Sequence, residues 1–133
     1  MARITAVLEQ IKTLIETDAK ISDLVPGLKC RLSYKKNSEI KTAEMPCAMI
    51  VKPSRRTEYE ASETIRKHEI QIFIGIIEKD KENAQTTMYE LEETFDELLE
   101  THIAEIVSTD SASSDFESDR YWLVLSYEYS EVI

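Results

Sequence analysis

The chain has 133 residues, of which 42% are hydrophobic and 32% are charged, and its formal net charge is −10 at pH 7. This size and composition predict one soluble globular domain spanning residues 1–133. The acidic balance disfavours a nucleic-acid-binding protein, and the absence of an apolar run of ~20 residues predicts that the chain has no membrane segment.

The first predicted element is an amphipathic helix that ends before Val25, Pro26 and Gly27. A short strand is predicted at residues 28–34, where apolar and polar residues alternate. Residues 35–46 form a polar connection, and residues 47–51, with the sequence C-A-M-I-V, form a short apolar strand. The helix is predicted from apolar residues at helical spacing, namely Ile4, Val7, Leu8, Ile11, Leu14 and Ile15.

A long hairpin is the next predicted feature. Residues 54–67 are polar but contain many residues that suit strands, and we interpret them as a hairpin arm that turns near residues 60–63, with an unstructured polar loop as the alternative. The arm leads into the strand H-E-I-Q-I-F-I-G-I-I at residues 68–77, in which positions 70, 72, 74 and 76 are isoleucine. This period of two predicts one buried face, so that Phe73 and Ile77 lie on the opposite face.

A second amphipathic helix is predicted to begin near Asp80 or Asn83, either of which can cap it. Its apolar stripe extends to Ile106. Residues 108–119 are rich in serine and aspartate, and their composition predicts a flexible acidic loop. A last strand follows at residues 120–129.

The order of these elements predicts an α+β domain. We expect a four-stranded, mainly antiparallel sheet with two helices on one face and a protruding β-hairpin arm, because the sheet can bury the apolar stripes of both helices. The second face of the sheet carries the apolar residues Phe73, Ile77, Trp122 and Val124. Exposed apolar patches mark interaction surfaces. We therefore predict that a second copy of the chain covers this face, with the arm folded back over it as the alternative.

We expect no enzymatic activity, no cofactor and no metal site. The chain has two histidines, His68 and His102, and none of the glycine-rich or nucleophile motifs of familiar enzymes. His102 lies on the apolar stripe of the second helix, where a hydrogen-bonded core or boundary histidine is expected. Cys30 and Cys47, which are expected to be reduced thiols, are seventeen residues apart in the sequence. Each cysteine is farther than that from either histidine. Structural zinc ligands normally come in closer pairs.

The charge is unevenly distributed along the chain. Residues 29–67 have a net charge of +5, whereas residues 68–133 have a net charge of −14. The second helix contributes seven acidic residues and no lysine or arginine between residues 83 and 107. Its predicted acidic face comprises Glu90, Glu93, Asp96, Glu97 and Glu100. This face is a solvated surface, a contact for a basic partner, or the lining of a passage through which DNA moves without binding.

The basic arm is the natural counterpart of this acidic helix. Its four basic residues are Arg55, Arg56, Arg66 and Lys67. Because an isolated two-stranded hairpin is only marginally stable in water, we expect another surface to hold the arm. We predict that this surface is the acidic helix of a neighbouring subunit.

The order of the elements and three stretches of sequence carry a resemblance to a known family. After the N-terminal helix come P-C-A-M-I-V-K-P at residues 46–53 and a ribbon ending in H-E-I-Q-I-F-I-G-I at residues 68–76. The second helix and the final strand Y-W-L-V-L-S-Y-E-Y at residues 121–129 complete the layout. It resembles the tail terminator proteins of long-tailed bacteriophages, also called tail completion or head–tail joining proteins, over nearly the whole chain.

The resemblance implies a structural virion protein. Proteins of this family form a ring, typically a hexamer, that caps the tail tube and offers a docking surface for the DNA-filled head. The implied partners are further copies of the chain, the tail tube protein and the head connector or neck proteins, with DNA passing through the channel without specific binding. The implied location is the tail of a virion assembled in the cytoplasm of a bacterial host. The family has no catalytic residues to carry over.

Three other functions are open on the sequence. A head-completion or neck protein on the connector would also form a ring. A small ligand-binding or regulatory domain would use the second face of the sheet as its pocket. A hydrolase would use His68 or His102 and would lose its activity when that histidine is replaced by alanine.

Overall fold

The computed structural model describes residues 3–116 and 119–133. Within them the chain forms three α-helices, five β-strands and two short 3₁₀ turns, Asn37–Glu39 and Thr42–Glu44. The helices are α1 (Arg3–Thr17), α2 (Ala19–Leu24) and α3 (Lys81–His102). The strands are β1 (Lys29–Arg31), β2 (Cys47–Glu60), β3 (Glu63–Ile77), β4 (Ile106–Phe116) and β5 (Arg120–Val132). None of these helices is long and apolar enough to span a bilayer.

The strands form one mixed sheet in the order β1-β2-β3-β5-β4. Strand β1 is parallel to β2, and all other neighbouring strands are antiparallel. The predicted α+β class is confirmed, but the predicted numbers of four strands and two helices are wrong. The first helix is predicted to continue to the residues before Val25, but it ends at Thr17. The additional helix α2 begins after Asp18, whose carboxylate caps it by accepting a hydrogen bond from the backbone N–H of Ile21 at 2.9 Å.

The additional strand is β4, which occupies most of the segment predicted to be a flexible acidic loop. It lies at the edge of the sheet and pairs with β5. An edge strand can carry serine, threonine and aspartate without apolar alternation, since its main-chain hydrogen bonds define it. Helix α3 ends at His102, so Ile106 begins this strand instead of extending the helix stripe. Residues 117 and 118 of the predicted loop lie outside the described residues.

The helices pack on one face of the sheet and bury its apolar side. Helix α3 begins as predicted, with the Asp80 carboxylate accepting hydrogen bonds from the backbone N–H groups of Glu82 and Asn83. The alternating isoleucines of β3 all face this core, and none is more than 5% exposed. Their partners on the helices include Val7, Ile11, Ile15, Ile21, Ala84, Met88, Leu91, Phe95 and Leu99.

The predicted hairpin arm is formed by β2 and β3. Their pairing extends to Glu60 and Glu63, and the two residues between them form the turn, as predicted. The arm is not an isolated two-stranded ribbon, because β5 continues beside β3 as far as Val132, which pairs with Ile65. This third strand supplies the support that a two-stranded hairpin lacks in water. Ordering of the arm therefore does not require a neighbouring subunit.

The turn of the arm contains a strained residue. Ala61 has a φ of 49°, a left-handed conformation that disfavours a residue with a Cβ by ~1–2 kcal/mol and glycine hardly at all. Glycine would relieve this strain, but it would also increase the conformational entropy of the unfolded chain, which offsets part of the gain. We therefore expect Ala61→Gly to raise the free energy of unfolding by about 0.5–1 kcal/mol. Urea denaturation measures this gain. Ser62→Gly at the adjacent turn position is the control and should give none, and a destabilised Ala61→Gly would contradict the prediction.

Candidate interaction surfaces

The second face of the sheet, opposite the helices, is partly covered by the chain itself. Residues 32–46, which we call the strap, pack against this face and leave Trp122 only 5% exposed. Arg120 Nη1 and Nη2 donate to the carbonyl oxygens of Asn37 at 2.8 Å and Ile40 at 2.7 Å, and Trp122 Nε1 donates to Asn37 Oδ1 at 2.9 Å. The prediction that Trp122 is exposed for a second copy is therefore wrong, because the polar connection folds over it.

A shallow apolar pocket remains open beside the strap. Phe73 and Val124 are half-buried and line it together with Tyr34, whose ring contacts Phe73 edge to face with centroids 5.1 Å apart. The pocket volume is about 130 Å³, whereas small-molecule sites enclose roughly 300–1,000 Å³. This pocket is therefore smaller than a typical small-molecule site. Ile77, at the end of β3, is 42% exposed, so three of the four predicted apolar contact residues keep exposed surface.

The four predicted basic contact residues divide between the two sides of the arm. Arg56 and Lys67 lie on the side of the second face, where Glu58 and Glu128 neutralise them. Arg56 Nη2 is 3.0 Å from Glu128 Oε2, and Lys67 Nζ is 3.1 Å from Glu58 Oε2. Hydrogen bonds from Lys67 and Arg56 lower the pKa of the Glu58 carboxyl below its ordinary value. These two cations therefore have partners within their own chain.

Arg55 and Arg66 lie on the helix side of the arm. Arg55 pairs in register with the buried His68, and Arg66 pairs with Glu131. Among the described residues, neither guanidinium has an ion pair within 4.0 Å. Tyr59 lies on the same side and is 80% exposed. This tyrosine is not among the predicted contact residues, although its spacing of four from Arg55 on a strand places both on one face.

The two histidines occupy structural positions. His68 is 3% exposed, with Nε2 2.8 Å from Glu131 Oε1 and with Nδ1 lacking a hydrogen-bond partner. His102 is hydrogen bonded as predicted, with its Nδ1 2.8 Å from the carbonyl oxygen of Leu98 in the same helix, but it is exposed and not at the predicted core or boundary position. Ile103 takes the buried position instead. Among the described residues, neither ring hydrogen bonds to a serine, threonine or cysteine side chain.

The acidic residues of α3 form two rows. The inner row attaches the helix to the sheet: Glu92 accepts a hydrogen bond from a serine hydroxyl of β4 at 2.7 Å, and Glu100 accepts one from a backbone N–H of β4 at 3.0 Å. Between them, Asp96 Oδ1 accepts a hydrogen bond from the hydroxyl of Tyr127 at 2.6 Å. Asp96 and Glu100, both predicted to belong to a free acidic face, are thus engaged within the chain.

Asp96 gives the inner row a pH dependence. Burial, with repulsion from Glu100 and Glu92, raises the pKa of the Asp96 carboxyl above its ordinary value of 3.8, although the Tyr127 hydrogen bond opposes this. The folded state then holds the proton more tightly than the unfolded chain, so the contribution of this group to stability falls as pH rises from 3.8 through the folded-state pKa.

We expect Asp96→Asn to stabilise the protein at pH 7 by about 0.5 kcal/mol, because it removes two like-charge pairs at a spacing of four and keeps an oxygen that accepts from Tyr127. Urea denaturation at pH 4 and pH 7 should show that the gain is larger at the higher pH. Asp96→Ala is the matched control, since it leaves the buried hydroxyl without its acceptor and should lose about 1–3 kcal/mol. A loss in both variants at pH 7 would contradict the prediction.

The outer row of α3 comprises Glu90, Glu93 and Glu97. All three are exposed, and among the described residues none makes an ion pair or side-chain hydrogen bond. Spacings of three and four residues place them on one side of the helix, so their carboxylates repel one another. This row is the part of the predicted acidic face that is free to meet a partner.

The two cysteines lie on opposite faces of the sheet. Cys30 packs against the helix-side core, whereas Cys47 packs with Met49 and Trp122 on the second face. This placement does not suit a disulfide, and both thiols are free. Burial raises the pKa of Cys30 to about 12 and also raises the pKa of Cys47. Within residues 3–116 and 119–133, no group of three or more histidine, cysteine, aspartate or glutamate side chains could hold a metal ion.

The comparison with known proteins identifies structural neighbours and no sequence relative. No family model matches the sequence, and no curated protein matches it either. A chain in the solved virion of the native gene transfer agent (GTA) particle matches the structure with a TM-score of 0.56 and 9% sequence identity. The match covers 99% of this chain and 100% of that chain. The two chains share a fold.

Proposed function

We propose that this protein is a structural virion component of the tail-terminator type, a ring that caps a phage tail tube and joins it to the head. The observation that carries the proposal is the end-to-end match with a chain of a gene transfer agent virion, which covers 99% of this chain. The resemblance of the sequence layout to tail terminators supports the narrower assignment to the tail.

The proposed ring is built head to tail. The arm carries Arg55 and Arg66 without ion pairs, and α3 carries a free acidic row, so the monomer has two complementary surfaces in different places. A contact between different surfaces of identical subunits is heterologous, and it closes into a ring when the rotation between subunits divides the circle. We propose that the ring is a hexamer.

Its mechanism is geometric, with one rim of the ring matching the tail tube and the other matching the head connector. This action needs no catalytic residue and no cofactor. The net charge of −10 favours a channel that repels DNA phosphates, so that DNA passes without specific binding. The proposed location is accordingly the virion tail, after assembly in the cytoplasm of a bacterial host.

Electron microscopy of particles assembled without this protein tests the assignment to the tail. A tail terminator stops the growth of the tube, so we expect overlong tails that carry no head. Tails of normal length beside heads that lose their DNA would instead identify the protein as a head-completion or neck protein. Normal infectious particles would contradict both functions.

Native mass spectrometry of the purified protein at micromolar concentration tests the ring. We expect a single closed oligomer, with six subunits for the proposed hexamer. A protein that stays monomeric, or a ladder of open oligomers without a preferred size, would contradict the proposal, because an open heterologous contact produces filaments.

A further inference from the structure

The helix side of the arm forms a shelf beyond the helix layer. The register of β2 and β3 places five side chains on it, which we call the arm shelf: Arg55, Thr57, Tyr59, Thr64 and Arg66. Helix α3 ends at His102, and strand β4 begins shortly after it at Ile106. In the sheet, Ile106 of β4, Tyr129 of β5 and His68 of β3 lie side by side in one row. The row of His68 therefore marks the end of the helix layer, and the arm shelf extends from that row to the tip of the arm.

Arg55, Thr57 and Tyr59 of the arm shelf are exposed, Thr64 and Arg66 are half-buried, and neither arginine makes an ion pair among the described residues. At 80% exposure, Tyr59 is the most exposed large hydrophobic side chain in the described part of the chain. Arg66 stands opposite Glu131 in register, but this carboxylate hydrogen bonds to His68 at 2.8 Å and not to the arginine. Arginine and tyrosine are two of the residue types that contribute most binding energy at protein interfaces. The opposite side of the arm differs, since its cations are neutralised there.

The outer row of α3 has the opposite charge. Glu90, Glu93 and Glu97 lie on successive turns and are exposed, and Tyr89 beside them is 65% exposed. The buried stripe of α3, which includes Leu91, Phe95 and Leu99, faces the sheet, and by helical periodicity the outer row lies roughly opposite this stripe. The outer row consequently points away from its own sheet, and among the described residues it makes no ion pair with its own arm shelf.

We propose that the arm shelf of one subunit binds the outer row of α3 in a second copy of the chain. This inference rests on the proposed ring and specifies its subunit contact. Arg55 and Arg66 pair with the outer glutamates, and Tyr59 packs along the neighbouring helix. The contact removes the repulsion within the outer row and supplies counter-ions for two arginines that lack them. It also assigns these glutamates to a subunit contact, for which the lining of a DNA channel was the alternative.

The contact is directional, which is what a ring requires. Each subunit contributes one arm shelf and one outer row to the assembly. An open chain of subunits therefore has an unoccupied arm shelf at one end and an unoccupied outer row at the other end until the chain closes into a ring. A twofold dimer could satisfy both surfaces only if each subunit's shelf met the other's helix simultaneously. The mass of the oligomer distinguishes these two arrangements.

Charge reversal on each surface tests the contact. One variant carries Arg55→Glu and Arg66→Glu, and the other carries Glu93→Lys and Glu97→Lys. Each places like charges across the contact, and we expect each to weaken assembly by roughly a hundredfold or more. Native mass spectrometry at the concentration where the wild type is a ring should then show monomers, and circular dichroism should show that both variants remain folded.

An equimolar mixture of the two variants provides the decisive experiment. The acidic shelf of the first variant meets the basic helix of the second, and the basic shelf of the second meets the acidic helix of the first. We expect rings in which the two variants alternate, with equal numbers of each. The matched control is Lys36→Glu with Lys79→Glu, which makes the same change of charge at two exposed sites away from the shelf and should leave the ring intact.

The possible failures are distinguishable. If the wild type forms a ring and both charge-reversed variants form the same ring, the proposed contact is wrong. The proposed function would be unaffected by that result. Monomeric variants whose mixture does not reassemble would show that the two surfaces do not bind each other. A variant with the reversed shelf that keeps its ring but loses affinity for a short DNA duplex would assign the shelf to phosphates instead. A monomeric wild type would overturn the ring and this contact together.

Discussion

Gly75→Ala is expected to lower the free energy of unfolding by about 3 kcal/mol, at the upper end of the range for overpacking a core. Gly75 lies directly opposite Trp122 in the pairing of β3 with β5. An added Cβ would lie 2.6 Å and 2.8 Å from two atoms of the indole ring and 2.9 Å from the terminal carbon of Met45. The flexible methionine can move aside, but the indole is held by its hydrogen bond to Asn37 and covered by the strap.

Two measurements test this prediction. Urea denaturation followed by circular dichroism gives the loss of stability, and the emission of Trp122, the one tryptophan of the chain, should shift to longer wavelength as the ring is displaced. Trp122→Leu supplies the matched background, since a smaller side chain leaves room for the added methyl group. Gly75→Ala should be much less destabilising there, because contacting residues are not additive. An equal loss in both backgrounds would contradict the proposed clash.

The elements that the sequence predicted correctly are those defined by local patterns. The alternating isoleucines of residues 70–76 determine which face of β3 is buried, because the period of a strand is two whatever its partners are. The cap at Asp80 depends on residues within one helical turn. The turn of the arm likewise depends only on the residues that flank it. In each case the interactions that decide the structure lie close together in the chain.

The elements that were missed depend on contacts between distant residues. The strap is a polar segment with no apolar period, and it is fixed on the sheet by Arg120, whose partner Asn37 is 83 positions away in the chain. Strand β4 has the composition of a loop, and it is a strand because β5 supplies main-chain partners along its length. The sequence contains these residues, but no local pattern indicates which of them meet.

The charged surfaces illustrate how a single irregularity changes a prediction. The sequence predicted a basic arm and an acidic helix, and both are present. A register shift between Val51 and Ser54 reverses the alternation of β2. Arg56 consequently shares its face with Lys67 and the glutamates that neutralise it, whereas Arg55 shares its face with His68. The sequence therefore predicted the sign of the arm's charge correctly but could not indicate which arginines remain free.

Arg120→Ala is expected to release the strap and to lower the free energy of unfolding by about 2–4 kcal/mol, since hydrogen bonds from a charged donor contribute ~1.5–3 kcal/mol each and part of the strap can rehydrate. The guanidinium donates to the carbonyl oxygen and Oδ1 of Asn37 at 2.8 Å and 3.2 Å and to the carbonyl oxygen of Ile40 at 2.7 Å. Loss of these bonds uncovers Trp122. Its emission should shift to longer wavelength, and acrylamide should quench it more strongly than in the wild type.

Arg120→Lys is the matched substitution, because an ammonium keeps the charge but cannot reach both carbonyl oxygens as the planar guanidinium does. We expect an intermediate loss of stability and a smaller change in Trp122 emission. The strap and the arm shelf lie on opposite faces of the sheet, so Arg120→Lys should form the same ring as the wild type. A folded Arg120→Lys protein that fails to assemble would place the subunit contact on the second face, beside Phe73 and Val124, and would contradict assembly through the arm shelf.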